Sequence, residues 1–373
     1  MSTVPVDAIL ALLEPDPERL RKGRERMGDI WWNREPDGLP LLAGAGAVPE
    51  REHYPHYTLE EQFYDKEKML AEHLWGMIGI TRGTGDAQPA IRANLGVGFI
   101  PSLFGLKSKF IQPNQMPWVM GHLSREEIAH LEVPDVRSAG LMPKALETIS
   151  YFREKLDGKA SVYLSDTQGP FDIAHLLRGH DLYYDVYDDP AFVHQLMDVV
   201  TETYVEASKV MKAAIGEPLD QGVHGELVME HGGVRVCDDS SINLSDAMFR
   251  EFVQPYMARA LKPFGGGWYH FCGKAHHLLR SMLDIEGVRG INFGNPELYD
   301  FAEVLPEVLK GGQFYVGTIP PEKGENAAAY RDRIAGYLDG ARKGLILQSL
   351  AVGQGESARE AVEIWRQRTA SCW

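Results

Sequence analysis

The sequence predicts an α/β protein in which eight parallel strands form a (β/α)8 TIM barrel with an N-terminal helical extension. From about residue 90, short apolar runs alternate with helical patterns, and no linker or internal repeat divides the chain. Repeated strand–helix units imply a parallel sheet. A chain of 373 residues with 44% hydrophobic content fits one α/β barrel domain. The predicted strands are residues 90–94, 160–164, 223–228, 234–237, 267–271, 290–293, 313–316 and 345–347.

Residues 1–57 are predicted as the helical extension and residues 58–373 as the barrel. In the extension, two segments have helical patterns, and Trp31 and Trp32 could dock them onto the body. Thr58 and Glu61 have capping-box spacing, which predicts a helix start at the boundary. Other helices are predicted where a capping residue or a first-turn proline opens a periodic run. The predicted helices are residues 6–13, 17–27, 66–80, 190–214, 246–261, 274–283 and 358–369.

Charge and cysteine content argue against several classes of protein. A net charge of -15 disfavours binding to nucleic acid and to anionic membrane surfaces. No apolar run approaches the roughly 20 residues of a membrane span, and no signal-peptide pattern is visible at the start. Three cysteines do not make a disulfide framework in so long a chain, so a reducing cytoplasm is the expected compartment.

The strongest chemical signal is an aromatic strand that ends in His270 and Cys272 and breaks at Gly273. Side chains alternate along a strand, so His270 and Cys272 are expected on one face. Imidazole and thiolate are ligands that zinc takes readily, and the strand end is where an α/β barrel carries its chemistry. We therefore expect both residues to bind zinc, and His276 in the next helix to be catalytic. The alternative is a structural histidine beside an inert buried cysteine.

Two other strand ends carry polar residues. After strand 234–237, Asp239 is expected to be catalytic and Asp238 to bind substrate, although either could simply cap a loop. Cys237 could be a further zinc ligand if its strand neighbours the one that ends at residue 271. After strand 160–164, Asp166 is expected to be catalytic and Gln168 to bind substrate, with a plain turn as the alternative. Weaker substrate-binding candidates at later strand ends are Asn292 and Gln348.

These motifs resemble the uroporphyrinogen decarboxylase superfamily, which includes zinc-dependent methyltransferases that move methyl groups from corrinoid proteins to thiols. The most specific block is Asp239-Ser240 followed by LSDAMFREFVQPY at residues 244–256, similar to the family's aspartate and LSPEMFREFVLPY run. The stretch at 270–273 is similar to the family's H-x-C-G zinc motif, and Gln168-Gly169-Pro170-Phe171 is similar to its GP strand end. The resemblance covers residues 58 to the C-terminus and implies a barrel with its site at the C-terminal mouth.

The sequence also departs from the family. The arginine-rich N-terminal motif and the late histidine of the decarboxylases are missing, so uroporphyrinogen decarboxylation is not expected. In the methyltransferases the H-x-C pair and a later cysteine hold zinc, but residues 347–353 contain no cysteine, and Cys372 is expected outside the barrel mouth. The third zinc ligand is then expected to be Cys237, a nearby histidine or a carboxylate.

The leading functional hypothesis is zinc-dependent methyl transfer to a small thiol. The donor would be a separate corrinoid protein, because no corrinoid-binding motif occurs in the sequence. Asp166, Gln168 and Asp239 would orient the substrate. A second hypothesis is a metal-free decarboxylase or lyase, in which Asp239 or Asp166 is the acid or stabiliser and His270 or His276 moves protons. A third is a non-catalytic barrel that binds a small molecule. Exposed aromatic residues of the N-terminal segment could support a homodimer.

Overall fold

The computed structural model describes residues 4–350 and 357–367. The strands are β1 (Ala90–Arg92), β2 (Lys107–Lys109), β3 (Trp118–Met120), β4 (Ser161–Tyr163), β5 (Gln221–His224), β6 (Leu227–Glu230), β7 (Val234–Cys237), β8 (Gly267–Phe271), β9 (Val288–Phe293), β10 (Phe314–Gly317) and β11 (Leu345–Leu347). The helices are α1 (Val6–Leu10), α2 (Pro17–Trp31), α3 (Leu59–Tyr64), α4 (Lys66–Arg82), α5 (Phe99–Leu103), α6 (Arg125–Ala129), α7 (Met142–Leu156), α8 (Pro170–Arg178), α9 (Leu182–Asp188), α10 (Pro190–Ile215), α11 (Asp246–Phe252), α12 (Gln254–Leu261), α13 (Leu279–Leu283), α14 (Phe301–Lys310), α15 (Ala327–Tyr337) and α16 (Ala358–Arg366).

Parallel strands form the centre of the molecule, as the sequence predicts. Strands β7, β8, β9, β10 and β11 make a five-stranded parallel sheet in chain order, and β1 pairs with β4 in parallel. Strand β5 contacts both β4 and β7, so it connects the two groups. The prediction of an α/β protein with a parallel sheet is therefore confirmed, and the carboxyl ends of neighbouring strands lie at the same edge.

Four features of the fold differ from the sequence prediction. The predicted strand 223–228 is a hairpin of β5 and β6, because Gly225 has a φ of +58° and reverses the chain. The predicted helix 246–261 breaks at Val253, since Pro255 in the first turn of α12 lacks an N–H donor. The helix predicted from residue 274 begins only at α13, after a 3-10 turn over His276–Leu278. The antiparallel pair β2 and β3 was not predicted.

The segment before residue 58 packs on the central sheet. Leu41 forms a parallel bridge with Leu347 of β11. Trp31 is buried and its Nε1 donates a hydrogen bond of 2.8 Å to the carbonyl of Val228, as expected for a docking residue, whereas Trp32 is 47% exposed. The segment thus contributes to the hydrophobic core, while a domain boundary at residue 57 stays a prediction.

Capping explains where several helices begin. The predicted capping box at Thr58 is present, and Asp189 caps the long helix α10 with Pro190 at its first position. The predicted last helix corresponds to α16, which ends at Arg366, and the predicted end at Thr369 lies outside the described residues, as does Cys372. Within the described ranges, every helix is too short or too polar to cross a membrane.

Candidate active site

Three polar side chains stand in one row across neighbouring strands. The register of the sheet pairs Cys237 of β7 with His270 of β8, and His270 with Asn292 of β9. Residues paired across parallel strands lie about 4.8 Å apart and point to the same face. The condition that the sequence set for Cys237, a strand next to that of His270, is therefore met.

The row brings together donor atoms of three chemical kinds. One ligand atom each from Cys237, Asp239 and His270 lies within 4.8 Å of the other two. The thiol of Cys237 is 3.6 Å from Oδ1 of Asp239. On the other side, Sγ of Cys272 is 3.5 Å from Nε2 of His270. The backbone N–H of Cys272 also donates a 2.6 Å hydrogen bond to Oδ1 of Asp239, which ties the ends of β7 and β8 together.

The hydrogen bonds of Asn292 determine which ring nitrogen of His270 faces the cysteine and aspartate donors. Its Nδ2 donates to the carbonyl of Val316 at 2.5 Å, so its Oδ1 is left to accept from Nδ1 of His270, also at 2.5 Å. With Nδ1 protonated, the lone pair lies on Nε2, beside Cys272. Burial and the nearby guanidinium of Arg235 lower the pKa of His270 to about 4. The imidazole is therefore neutral near pH 7, which is the form that binds metals.

Both thiols are protonated in the metal-free protein. Burial raises the pKa of Cys237 well above its ordinary value, although the charge of Arg235 opposes the shift. Burial and the carboxylate of Asp239 raise the pKa of Cys272. Both cysteines are free. Neither thiol is thus activated by the protein alone, and a bound cation would be needed to form a thiolate near pH 7.

The loop before α8 holds the end of β7 in place. The N–H of Gly169 donates to the carbonyl of Cys237, and a Cβ at Gly169 would lie 2.9 Å from that oxygen. Only glycine allows this close approach, which explains the Gly-Pro motif. Asp172, near the start of α8, accepts hydrogen bonds from the N–H groups of Asp239 and Ser240 at 3.0 and 2.7 Å.

A cavity of about 550 Å³ opens at this edge of the sheet. His270, Asn292 and Gln348 line it together with Arg235 and Trp268. The volume is sufficient for a small organic molecule. The candidate metal ligand His270 therefore faces a space in which a substrate can lie.

Comparison with known proteins identifies the family. The sequence profile described as uroporphyrinogen decarboxylase (URO-D) matches residues 90–310, which is more than half of the chain. The chain belongs to the URO-D family. A solved methyltransferase from Methanosarcina mazei has a similar structure, with a TM-score of 0.65 and 15% sequence identity, covering 92% of this chain and 98% of that one. At this identity the similarity concerns the fold. A comparison with curated protein sequences gives no match.

The other predicted site residues of this URO-D family member have different surroundings. Asp166 accepts a 2.7 Å hydrogen bond from Nε2 of Gln168 and lies 3.6 Å from Arg92 and 3.7 Å from Arg235. Gln168 is buried and has a strained φ of +41°. Asp166 and Gln168 therefore form one hydrogen-bonded unit with two arginines close to the carboxylate. Gln348 lines the cavity, and its role in substrate binding stays a prediction.

Two expected residues lie away from the converging donors. Asp238 was expected to bind substrate, but it is fully buried and its Oδ2 accepts from the N–H of Phe171. Burial raises its pKa well above the ordinary value. This contact with the start of α8 holds the Asp238 carboxylate away from the converging donors. His276 was expected to be catalytic, but its ring stacks on Tyr299 with centroids 4.5 Å apart, because the chain turns at Gly273 before α13 begins.

Arg235 and Arg92 were not among the predicted site residues. Arg235 lines the cavity from β7, two residues before Cys237, and Arg92 ends β1. The signal in the sequence was a single charged residue between the buried valines of Val234-Arg235-Val236. By strand alternation Arg235 shares a face with Cys237, so the residue could have been found from the predicted zinc ligand.

Proposed function

We propose that this URO-D family protein is a zinc-dependent methyltransferase that moves a methyl group from a corrinoid protein to a small thiol. We further propose that its strands close into an eight-stranded barrel with the site at the mouth. The observation that carries the proposal is the convergence of Cys237, Asp239 and His270 at the ends of neighbouring strands. The fold shared with the methyltransferase from Methanosarcina mazei supports it.

The donor atoms are of the kinds that zinc binds, and two of the distances between them match a zinc site. Zinc binds sulfur at about 2.3 Å and nitrogen or oxygen at about 2.0–2.2 Å, so two tetrahedral ligands of this mixed kind lie roughly 3.5 Å apart. Two distances in the structure are close to this value. Sγ of Cys237 lies 3.6 Å from Oδ1 of Asp239, and Sγ of Cys272 lies 3.5 Å from Nε2 of His270. We assign Cys237, Asp239 and His270 as the three protein ligands, with Cys272 as the alternative to one of them, so that a fourth tetrahedral position is left for the substrate thiol.

Each residue has a role that its contacts define. Asn292 holds His270 in the tautomer that presents Nε2. Asp239 holds the chain at Cys272 through the backbone N–H. The bound ion would stabilise the thiolate form of a substrate thiol at neutral pH. The cavity beside His270 would place that thiol for attack on the methyl group of the partner's corrinoid.

Metal analysis of the purified protein tests this proposal. We expect about one equivalent of zinc in the unaltered protein and a loss of zinc in Cys237→Ser and His270→Ala. His276→Ala is the matched control, because this exposed histidine stacks on Tyr299 and its loss should leave the zinc content unchanged. A zinc content near zero in the unaltered protein would overturn the proposal and favour the metal-free lyase.

Methyl transfer is the second measurement. Methylcobalamin serves as a simple methyl donor and 2-mercaptoethanol as a simple thiol, and the product is the methyl thioether. We expect turnover by the zinc-loaded protein and its loss in His270→Ala. The free thiols of Cys237 and Cys272 agree with the reducing compartment that we expect, the cytoplasm. A homodimer stays a prediction.

A further inference from the structure

The cavity contains a buried cation with unused hydrogen-bonding capacity. The side chain of Arg235 is 14% exposed, and its Nε has no hydrogen-bond partner among the residues that the structure describes. The nearest part of Asp166 is 3.7 Å from Nη1, which is beyond hydrogen-bond distance. Buried polar groups are almost always hydrogen-bonded, and an arginine stays charged in any protein environment. Arg235 therefore lacks an acceptor.

One carboxylate lies within 4 Å of two guanidinium groups. Asp166 lies between Arg235 and Arg92, at 3.7 and 3.6 Å, and also accepts from Gln168. Asp239, at the proposed zinc site, also acts on the charge of Arg235. Burial and these two arginines lower the pKa of His224 well below its ordinary value, so its ring is neutral. Glu226, an exposed residue of the turn between β5 and β6, also lines the cavity.

The position of Arg235 relates this charge to the proposed zinc site. Arg235 and Cys237 share a face of β7 and are two residues apart, a rise of about 6.6 Å along a strand. Arg235 pairs in register with Trp268, and its guanidinium lies 5.7 Å from the centre of that ring. Both side chains line the cavity that His270 also lines. A small molecule in this cavity can therefore contact both the guanidinium of Arg235 and the imidazole of His270.

We infer that the ligand of this cavity is a small carboxylic acid, whose carboxylate is bound by Arg235. The planar guanidinium matches a carboxylate through two parallel hydrogen bonds. On the proposed function the same molecule carries the acceptor thiol at its other end. The carboxylate site itself does not require zinc or methyl transfer.

Calorimetric titration with propionate tests the carboxylate site directly. Propionate should bind the unaltered protein, and propionamide, which has nearly the same shape without the charge, should not. Arg235→Gln should weaken propionate binding at least tenfold. Arg259→Gln is the matched control, because Arg259 pairs with Asp198 on the exposed side of α12, and its binding should be unchanged. Equal binding of propionate to the unaltered protein and Arg235→Gln would overturn the inference, as would equal binding of propionamide.

A second variant covers the case in which Arg235→Gln does not fold. Arg235→Lys keeps the positive charge but cannot form the paired hydrogen bonds, so propionate binding should fall between that of the unaltered protein and that of Arg235→Gln. Thermal melting shows whether each variant is folded. If Arg235→Gln does not fold, Arg235→Lys provides the test. Propionate binding by Arg235→Lys as strong as that by the unaltered protein would then overturn the bidentate site.

Kinetics separates this inference from the proposed function. With methylcobalamin as donor, Arg235→Gln should raise KM for 3-mercaptopropionate at least tenfold more than it raises KM for 2-mercaptoethanol. Propionate binding that depends on Arg235, in a protein without zinc or methyl transfer, would support the carboxylate site and reject only the methyltransferase. Methyl transfer with equal KM for both thiols in both proteins would reject the carboxylate site alone.

Discussion

Replacing Asn292 should weaken metal binding without removing a ligand. Asn292 is 6% exposed and makes two hydrogen bonds of 2.5 Å, accepting from His270 and donating to Val316. In Asn292→Leu, Nδ1 of His270 loses its acceptor, so the ring can rotate and change tautomer. Loss of such an orienting partner typically costs 10–100-fold in metal affinity, or about 1.4 to 2.8 kcal/mol. We expect a loss of this size.

The assay is a competition for zinc between the protein and a chelator of known affinity. Asn292→Asp is the matched variant, since its carboxylate can still accept from His270 but has no donor for the carbonyl of Val316. Asn292→Asp should keep its zinc affinity within about threefold of the unaltered protein, although both variants should unfold more easily because a buried carbonyl loses its donor. Zinc affinity in Asn292→Leu equal to that of the unaltered protein would refute the role of Asn292.

The scaffold around the site should respond to three other substitutions. Gly169→Ala places a methyl group 2.9 Å from a carbonyl oxygen and should lower the free energy of unfolding by about 1–3 kcal/mol; an unchanged urea midpoint would contradict the close approach. Trp31→Phe leaves the buried carbonyl of Val228 without its donor and should lower the free energy of unfolding by about 1–3 kcal/mol. Trp32 is half-exposed, so Trp32→Phe should lower it by less than about 0.5 kcal/mol. Burial raises the pKa of Asp172 from 3.8 to about 6, so the folded state holds this proton more tightly and the contribution of Asp172 to stability falls as pH rises from about 4 to 6. Asp172→Asn should remove this slope, up to roughly 3 kcal/mol, in urea titrations across that range, and an identical slope in both proteins would count against the buried carboxyl.

Local patterns predicted the framework of the site. The bounds of β7, β8 and β11 agree with the sequence prediction, because each is a short, mostly apolar run with a polar residue or a glycine within the next two positions. His270 and Cys237 come together because their strands are neighbours and strand alternation sets their direction. The resemblance to the URO-D family, which the profile confirms, rested on residues at or after the ends of β4, β7 and β8 and on the helical run over residues 244–256.

Tertiary contacts decided what the sequence left open. The hairpin at Gly225 joins apolar residues on both sides of the turn, so the two strands look like one run in the sequence. Asp238 lies just beyond the end of β7, where the alternation of strand residues no longer fixes which neighbouring residue faces the cavity. Arg235 looks like an exposed strand residue until β7 is placed beside β8 and the cavity that Arg235 lines is known. Among the described residues its Nε has no hydrogen-bond partner, and this is known only once Asp166 and Trp268 are placed around it.

The proposed zinc site does not depend on a late cysteine, because β8, the strand of His270, has a neighbouring strand on each side. On one side, β9 contributes Asn292, which accepts a hydrogen bond from the imidazole and so orients it. On the other side β7 supplies Cys237 in register and Asp239 two residues later. A thiolate and a carboxylate from β7 can therefore replace a cysteine from the last strand without moving His270. If so, Cys237→Ser should weaken zinc binding as strongly as His270→Ala in the chelator competition. A small effect of Cys237→Ser beside a large effect of Cys272→Ser would instead place the ion on the other side of the imidazole.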